Sequence, residues 1–127
     1  MKTPDDILKI WMAAVNKGDV ETLISLYDKN AVLIPTFSNI ILNTTEKIRD
    51  YFERLKTRER LSISLHEKTF HVQKIYDNIF ELYGIYCWRF VVDEELLNFE
   101  ARFSYTVNLD LPNPILHHHS SQIPRLL

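Results

Sequence analysis

A long stretch of alternating apolar and polar residues constrains the fold of this chain most. From residue 97 to 109 every second side chain is apolar, and the side chains between them are polar. Side chains of a β-strand point alternately to the two faces of a sheet, so this pattern predicts a strand over 96–109. Residues 79–92 are also rich in strand formers, and Asp93-Glu94-Glu95 separates the two segments. The sequence therefore predicts a long β-hairpin.

The register of this hairpin determines which charges face each other. A hairpin symmetric about Glu94-Glu95 would place Arg89 opposite Glu100 and Cys87 opposite Arg102. We expect Arg89 and Glu100 to form an ion pair, since an unpaired charge in a partly covered cavity is costly. Arg102 would then be the cation left free for a ligand. The alternative, in which all three charges only solvate an outer face, stays open.

The N-terminal half carries helix patterns. Thr3 and Pro4 are typical of a helix start, the apolar spacing after them is helical, and Gly18 supplies a stop. Asp19 can cap a second, short helix, and Thr44 or Thr45 a third over about 46–58. Short strands are predicted at 31–35 and 38–42, and one long strand at 61–75 with a bulge near Glu67-Lys68.

The predicted order is two helices, two short strands, a third helix and then four strands. This order is typical of an α+β domain, and we expect residues 1–127 to form one domain.

A net charge of −2 argues against nucleic-acid binding, which needs a clustered basic surface. No apolar run approaches the roughly 18 residues of a membrane span, and no signal peptide is visible. Cys87 is the only cysteine, so a reducing cytoplasm is the simple expectation. We expect no cofactor.

Three histidines lie on the last predicted strand. On a regular strand His117 and His119 share one face with Ile115 and Ser121, whereas His118 shares the other with Leu116 and Ser120. Two histidines at i and i+2 can share a metal ion, but a site needs a third ligand. Nothing in the spacing brings His66 or His71 close, so we expect no metal site.

Four segments carry a resemblance to a known family: VLIPTFSN at 32–39, TTEKIRDYF at 44–52, ARFSY at 101–105, and HHHSS at 117–121 followed by Pro124. Together they resemble small bacterial proteins of the nuclear-transport-factor-2-like superfamily. Within it, the chain is similar to the SnoaL-like group akin to the association domain of calcium/calmodulin-dependent protein kinase II. The resemblance covers nearly the whole chain. The superfamily mixes enzymes, transport adaptors and oligomerisation hubs, so the fold does not give the function.

The resemblance implies a cone-shaped, strongly curved mixed β-sheet of about six strands wrapped around the three helices of the N-terminal half. It also implies a pocket inside the cone and a homodimer through the sheet face. In the kinase association domain, arginines line a deep polar pocket. Arg102 matches one of them, and the other positions match Cys87 and Ser120, so two of those arginines are missing here.

Two functions remain open. In the first, a small homodimeric protein binds a small polar or anionic molecule and catalyses nothing. The candidate ligand-binding residues are Arg102, His118, Ser120, Tyr51, Trp11 and Cys87. A second subunit would cover the aromatic face of 86, 88, 90, 103 and 105. The alternative is an acid–base enzyme of the SnoaL-like cyclase or isomerase type, with His118 moving a proton next to a carbonyl. Such enzymes usually have an Asp partner, and the only carboxylate predicted on that face, Glu100, is already paired, which favours the first function.

Overall fold

The computed structural model of the chain describes residues 3–124 and confirms the α+β class. Its elements, in chain order, are α1 Pro4–Lys17, α2 Val20–Leu26, β1 Tyr27–Ile34, α3 Thr45–Leu55, β2 Ser62–Leu65, β3 His71–Tyr76, β4 Ile79–Val92, β5 Glu95–Asn108 and β6 Ile115–Gln122. A 3₁₀ turn, Glu67–Thr69, joins β2 to β3.

Polar side chains fix the starts of the helices where the sequence predicts them. The carboxylate of Asp6 accepts a hydrogen bond from the backbone N–H of Thr3. Asp19 accepts one from the N–H of Thr22, and Thr44 one from the N–H of Lys47. Gly18 ends α1 with φ +69°, a left-handed conformation that glycine adopts without a Cβ penalty. No helix within residues 3–124 combines the length and apolar character needed to cross a bilayer.

The six strands form one mixed sheet, which is curved and stays open. Its order is β1-β6-β5-β4-β2, and β3 also pairs with β4. Strand β1 runs parallel to β6, and every other pairing is antiparallel. The sheet has one long strand pair, β4–β5, at its centre.

Two predicted strands differ in the structure. The single strand predicted at 61–75 is divided into β2 and β3, which occupy the same edge of β4 one after the other. The 3₁₀ turn between them approaches β4 at Gly84, where a Cβ would lie 3.1 Å from the carbonyl oxygen of Thr69. Segment 38–42 forms no strand, and its backbone pairs with β1 at the Leu33–Leu42 bridge.

The hairpin register also differs from the predicted one. Asp93 and Glu94 form the turn with φ of +49° and +69°, and Val92 pairs with Glu95. Positive φ at both central residues is the geometry of a two-residue type I′ turn, which matches the twist of the strands. The pairing is therefore shifted by two residues from the predicted one.

The shifted register changes the charge pairs. Arg89 lies opposite Asn98, and Cys87 lies opposite Glu100. The predicted Arg89–Glu100 pair is therefore wrong. Glu100 instead lies beside His66, whose Nε2 is 3.1 Å from the carboxylate.

The helices pack on one face of the sheet, which we call the inner face. The inner-face side chains of β4, β5 and β6 include Tyr86, Trp88, Phe103, Tyr105 and His118, which are at most 4% exposed. They pack against Ile7, Leu8 and Trp11 of α1 and Ile48 and Phe52 of α3. Helices of the same chain thus cover the aromatic face, and the prediction that a second subunit covers it is wrong.

Candidate functional site

A β-bulge determines which histidine of β6 enters the core. Ile115 pairs with Val107 and His117 pairs with Thr106, so Leu116 is an extra residue between the two pairs. The bulge turns Ile115 inward, and the prediction that Ile115 shares a face with His117 is wrong. Beyond the bulge the alternation is regular: His118 lies opposite Tyr105 on the inner face and is 1% exposed.

Both ring nitrogens of His118 have tyrosine partners. Nδ1 lies 2.8 Å from the hydroxyl of Tyr27, and Nε2 lies 3.2 Å from the hydroxyl of Tyr86. The Tyr27 hydroxyl also accepts a hydrogen bond of 3.0 Å from the indole N–H of Trp11. The imidazole stacks on the ring of Tyr105 with centroids 3.8 Å apart.

These contacts assign the tautomer of the imidazole. An indole N–H only donates, so the hydroxyl of Tyr27 accepts from Trp11 and gives its own hydrogen to Nδ1 of His118. The proton of the neutral ring is then on Nε2, which donates to the hydroxyl of Tyr86. A second ring proton would leave the hydrogen of Tyr27 without an acceptor.

Electrostatics also favours the neutral ring. Burial holds the pKa of His118 well below its usual value, and the neighbouring His117 and His119 lower it further. Burial likewise raises the pKa of the Tyr27 and Tyr86 hydroxyls. The three groups therefore form an uncharged hydrogen-bonded set at neutral pH.

Beside this set the cone interior has little free space. A cavity of about 10 Å³, room for about one water molecule, is lined by Trp11, Tyr51, His118 and Ser120 among others. Four of the six predicted ligand-binding residues thus meet at one cavity. The Ser120 hydroxyl is hydrogen-bonded to the hydroxyl of Thr36. Trp88 also lines the cavity, and its indole N–H has no hydrogen-bond partner within residues 3–124.

The other two predicted site residues lie elsewhere. Arg102 pairs with Ile85 and Ser121, on the face of the sheet opposite His118, which we call the outer face. There it lines a cleft of about 240 Å³ with Ser104, His119 and Ser121. Cys87 lies on the outer face too, opposite Glu100. The prediction of one pocket shared by Arg102 and His118 is wrong, since register and alternation place them on opposite faces.

Two features of the structure are absent from the sequence-based predictions. The first is the contact of Tyr27 with His118, which forms only through the long-range parallel pairing of β1 with β6. An open groove of about 360 Å³ lies between α3 and segment 37–42. The sequence signal that could have indicated this groove is the group of basic residues Lys47, Arg54 and Arg58 on and after α3.

Within the described part of the chain, no group of three or more His, Cys, Asp or Glu side chains is arranged to hold a metal ion. His117 lies opposite Thr106 and His119 opposite Ser104, so both project from the outer face.

The family follows from a comparison of the whole chain with known proteins. The model of the calcium/calmodulin dependent protein kinase II association domain family matches residues 5–124. The chain belongs to this family. No curated protein shows a significant match to it.

The solved structures with a similar fold are described as different kinds of protein. A Xanthomonas campestris protein described as an association domain of this family is 24% identical, with a TM-score of 0.84; the alignment covers 96% of this chain and 86% of that one. The hub of the S. rosetta kinase is 14% identical, with a TM-score of 0.78 and coverage of 97% and 100%. A SnoaL-like polyketide cyclase from Shewanella putrefaciens is 15% identical, with a TM-score of 0.65 and coverage of 96% and 90%. These likenesses show that the chain shares its fold with an association domain, a kinase hub and a polyketide cyclase.

Proposed function

We propose that this chain is a self-association domain that forms a homodimer through the outer face of its sheet. The observation that carries the proposal is the filled interior of the cone. Enzymes and binding proteins usually offer their ligands cavities of about 300–1,000 Å³. The cavity beside His118 holds about 10 Å³.

The arrangement of His118 supports a structural role for this residue. Proton transfer to a substrate requires a ring nitrogen within hydrogen-bond reach of that substrate. Both nitrogens of His118 are bonded to tyrosines, and aromatic rings surround it. This geometry favours an assembly domain over an acid–base enzyme acting next to a carbonyl.

The outer face has the mixed composition of a subunit interface. Tyr83 and Leu96 are 43% and 46% exposed there, and the half-buried Ile85 pairs directly with Arg102 of the cleft. Arg102 makes no ion pair with any residue from 3 to 124, so its guanidinium is available to a partner. Aromatic residues and arginine are enriched at interfaces. The family description, association domain, and the hub among the relatives agree with this role.

The test is a measurement of mass in solution. We expect light scattering after size exclusion to give twice the chain mass of 15.1 kDa at micromolar concentration. Ile85→Lys should give a monomer, because it adds a buried positive charge beside Arg102 at the centre of the outer face. Circular dichroism would establish that the variant keeps its fold.

Ile41→Lys is the matched control, since Ile41 is 57% exposed in the segment before α3 and belongs to no strand. It should leave the mass unchanged. A wild-type protein that stays monomeric, or an Ile85→Lys variant that folds and keeps the wild-type mass, would contradict the proposed interface.

A further inference from the structure

We propose that the groove between α3 and segment 37–42 binds a small carboxylic acid with an apolar aryl or alkyl body. This site is separate from the proposed dimer interface and from the cavity at His118. Its volume of about 360 Å³ lies within the range of small-molecule sites.

The floor of the groove is apolar and held in place. It is formed by Phe37, Leu42, Tyr51 and Leu55. The backbone N–H of Phe37 donates to the Tyr51 hydroxyl over 3.3 Å, and the ring of Phe37 packs edge-on against Trp88. Because these rings are already positioned in the free protein, an apolar ligand would pay little ordering cost on binding.

The rim of the groove is basic. Its charged side chains are Lys47, Asp50, Arg54 and Arg58. Asp50 and Arg54 pair with each other over 3.1 Å. Lys47 and Arg58 form no ion pair with residues 3–124, and Lys47 has only a 3.4 Å contact to Asn43. Two cations therefore remain for an anionic group.

Arg58 is the better positioned of these two cations. Its guanidinium carbon lies 5.5 Å from the centroid of the Phe90 ring, a cation–π contact that restrains the side chain. A planar guanidinium can hold a carboxylate with two parallel hydrogen bonds. The apolar floor next to this cation selects an acid with an apolar body over inorganic anions.

The shape of the site favours a small molecule over an acidic peptide. The groove is a single concavity bounded by one helix and one short segment, and Ile40 stands at its edge with 59% of its surface exposed. Peptide-binding grooves instead offer a sheet edge or a series of side-chain pockets. The experiment below separates these two ligand classes.

The probe is 4-phenylbutyrate, compared with its neutral amide. We expect phenylbutyrate to shift the backbone amide signals of 37–42 and 47–58 in ¹⁵N spectra of the full chain. The amide should bind about tenfold more weakly, because it lacks the charge-assisted contact. Ser38→Trp fills the groove from its wall and should abolish binding.

The charge variants test the cations directly. The double variant Lys47→Gln with Arg58→Gln should lose about tenfold in affinity, whereas Lys68→Gln, which removes an exposed cation of the 3₁₀ turn that does not line the groove, should have no effect. Equal binding of acid and amide, signal shifts only outside the groove, or a loss of affinity in Lys68→Gln would overturn the proposal. Tighter binding of an acidic leucine-containing hexapeptide than of phenylbutyrate would overturn it in favour of a peptide site.

Discussion

The inner and outer faces of the sheet are formed by alternate residues of the same strands, but their surroundings differ. On the inner face, Tyr105 is fully buried and stacks on His118. On the outer face of the neighbouring strand, Tyr83 is 43% exposed and stacks on His71. The comparison shows that the three helices remove one face from water and leave the other available. The outer face is therefore the one that the proposed dimer uses.

The largest expected effect is a difference in the free energy of unfolding between variants of two tyrosines. Tyr105→Ala should lower the free energy of unfolding by about 3–5 kcal/mol, because it leaves a cavity among packed rings. Tyr83→Ala should cost less than about 1 kcal/mol, since Tyr83 is 43% exposed and its removal leaves no enclosed cavity. Urea denaturation would measure both. Equal costs would show that the outer face is as well covered as the inner one. Tyr105→Leu serves as a milder substitution if the alanine variant does not fold.

A smaller effect is expected at the inner-face position of Gly84. An added Cβ would lie 3.1 Å from Thr69 O and 3.2 Å from Phe70 Cα, so Gly84→Ala should destabilise the protein by about 1–3 kcal/mol. Ser64→Ala, at an exposed position of β2, is the control and should be close to neutral. Both would be measured by thermal and urea unfolding. An unchanged stability of Gly84→Ala would mean that the 3₁₀ turn is free to move away from β4.

The smallest expected effect is on the pH dependence of stability, which should involve His118 and not His119. Above about pH 6.5, the usual pKa of histidine, His118 is neutral in both the folded and the unfolded chain. Below it the unfolded chain binds a proton that the buried ring resists, because burial lowers the pKa of His118 in the fold. The free energy of unfolding should therefore decrease as the pH is lowered from 6.5 to the folded pKa, by up to about 1.4 kcal/mol per pH unit.

The matched variants for this prediction are His118→Gln and His119→Gln, read by urea denaturation between pH 5 and 8. The first should flatten the pH dependence, and the second, at an exposed position, should retain it. ¹⁵N shifts of the wild-type imidazole should report a proton on Nε2 at neutral pH. A ring that titrates near pH 6.5 in the folded protein would contradict the buried, neutral assignment.

Much of the fold could be predicted because local patterns specify it. The alternation on β5 gave a long strand, and Thr3, Gly18 and Asp19 marked the boundaries of α1 and α2. The segments from VLIPTFSN to HHHSS gave the family, which the match over 5–124 confirms. Capping, turn formation and alternation depend on residues that are neighbours in the chain, so one sequence contains their signal.

The placement of the site was decided by tertiary structure. The left-handed turn at Asp93 and Glu94 shifted the β4–β5 register by two residues, and the bulge at Leu116 reversed the side of Ile115. The sequence by itself determined the three helices, the long hairpin and the presence of an aromatic face on the sheet. Only the packed structure decided that helices cover that face, that Tyr27 reaches His118, and that Arg102 points away from it. Register and long-range pairing set these contacts, because a small change in backbone geometry at one turn or bulge alters which residues meet across the whole sheet.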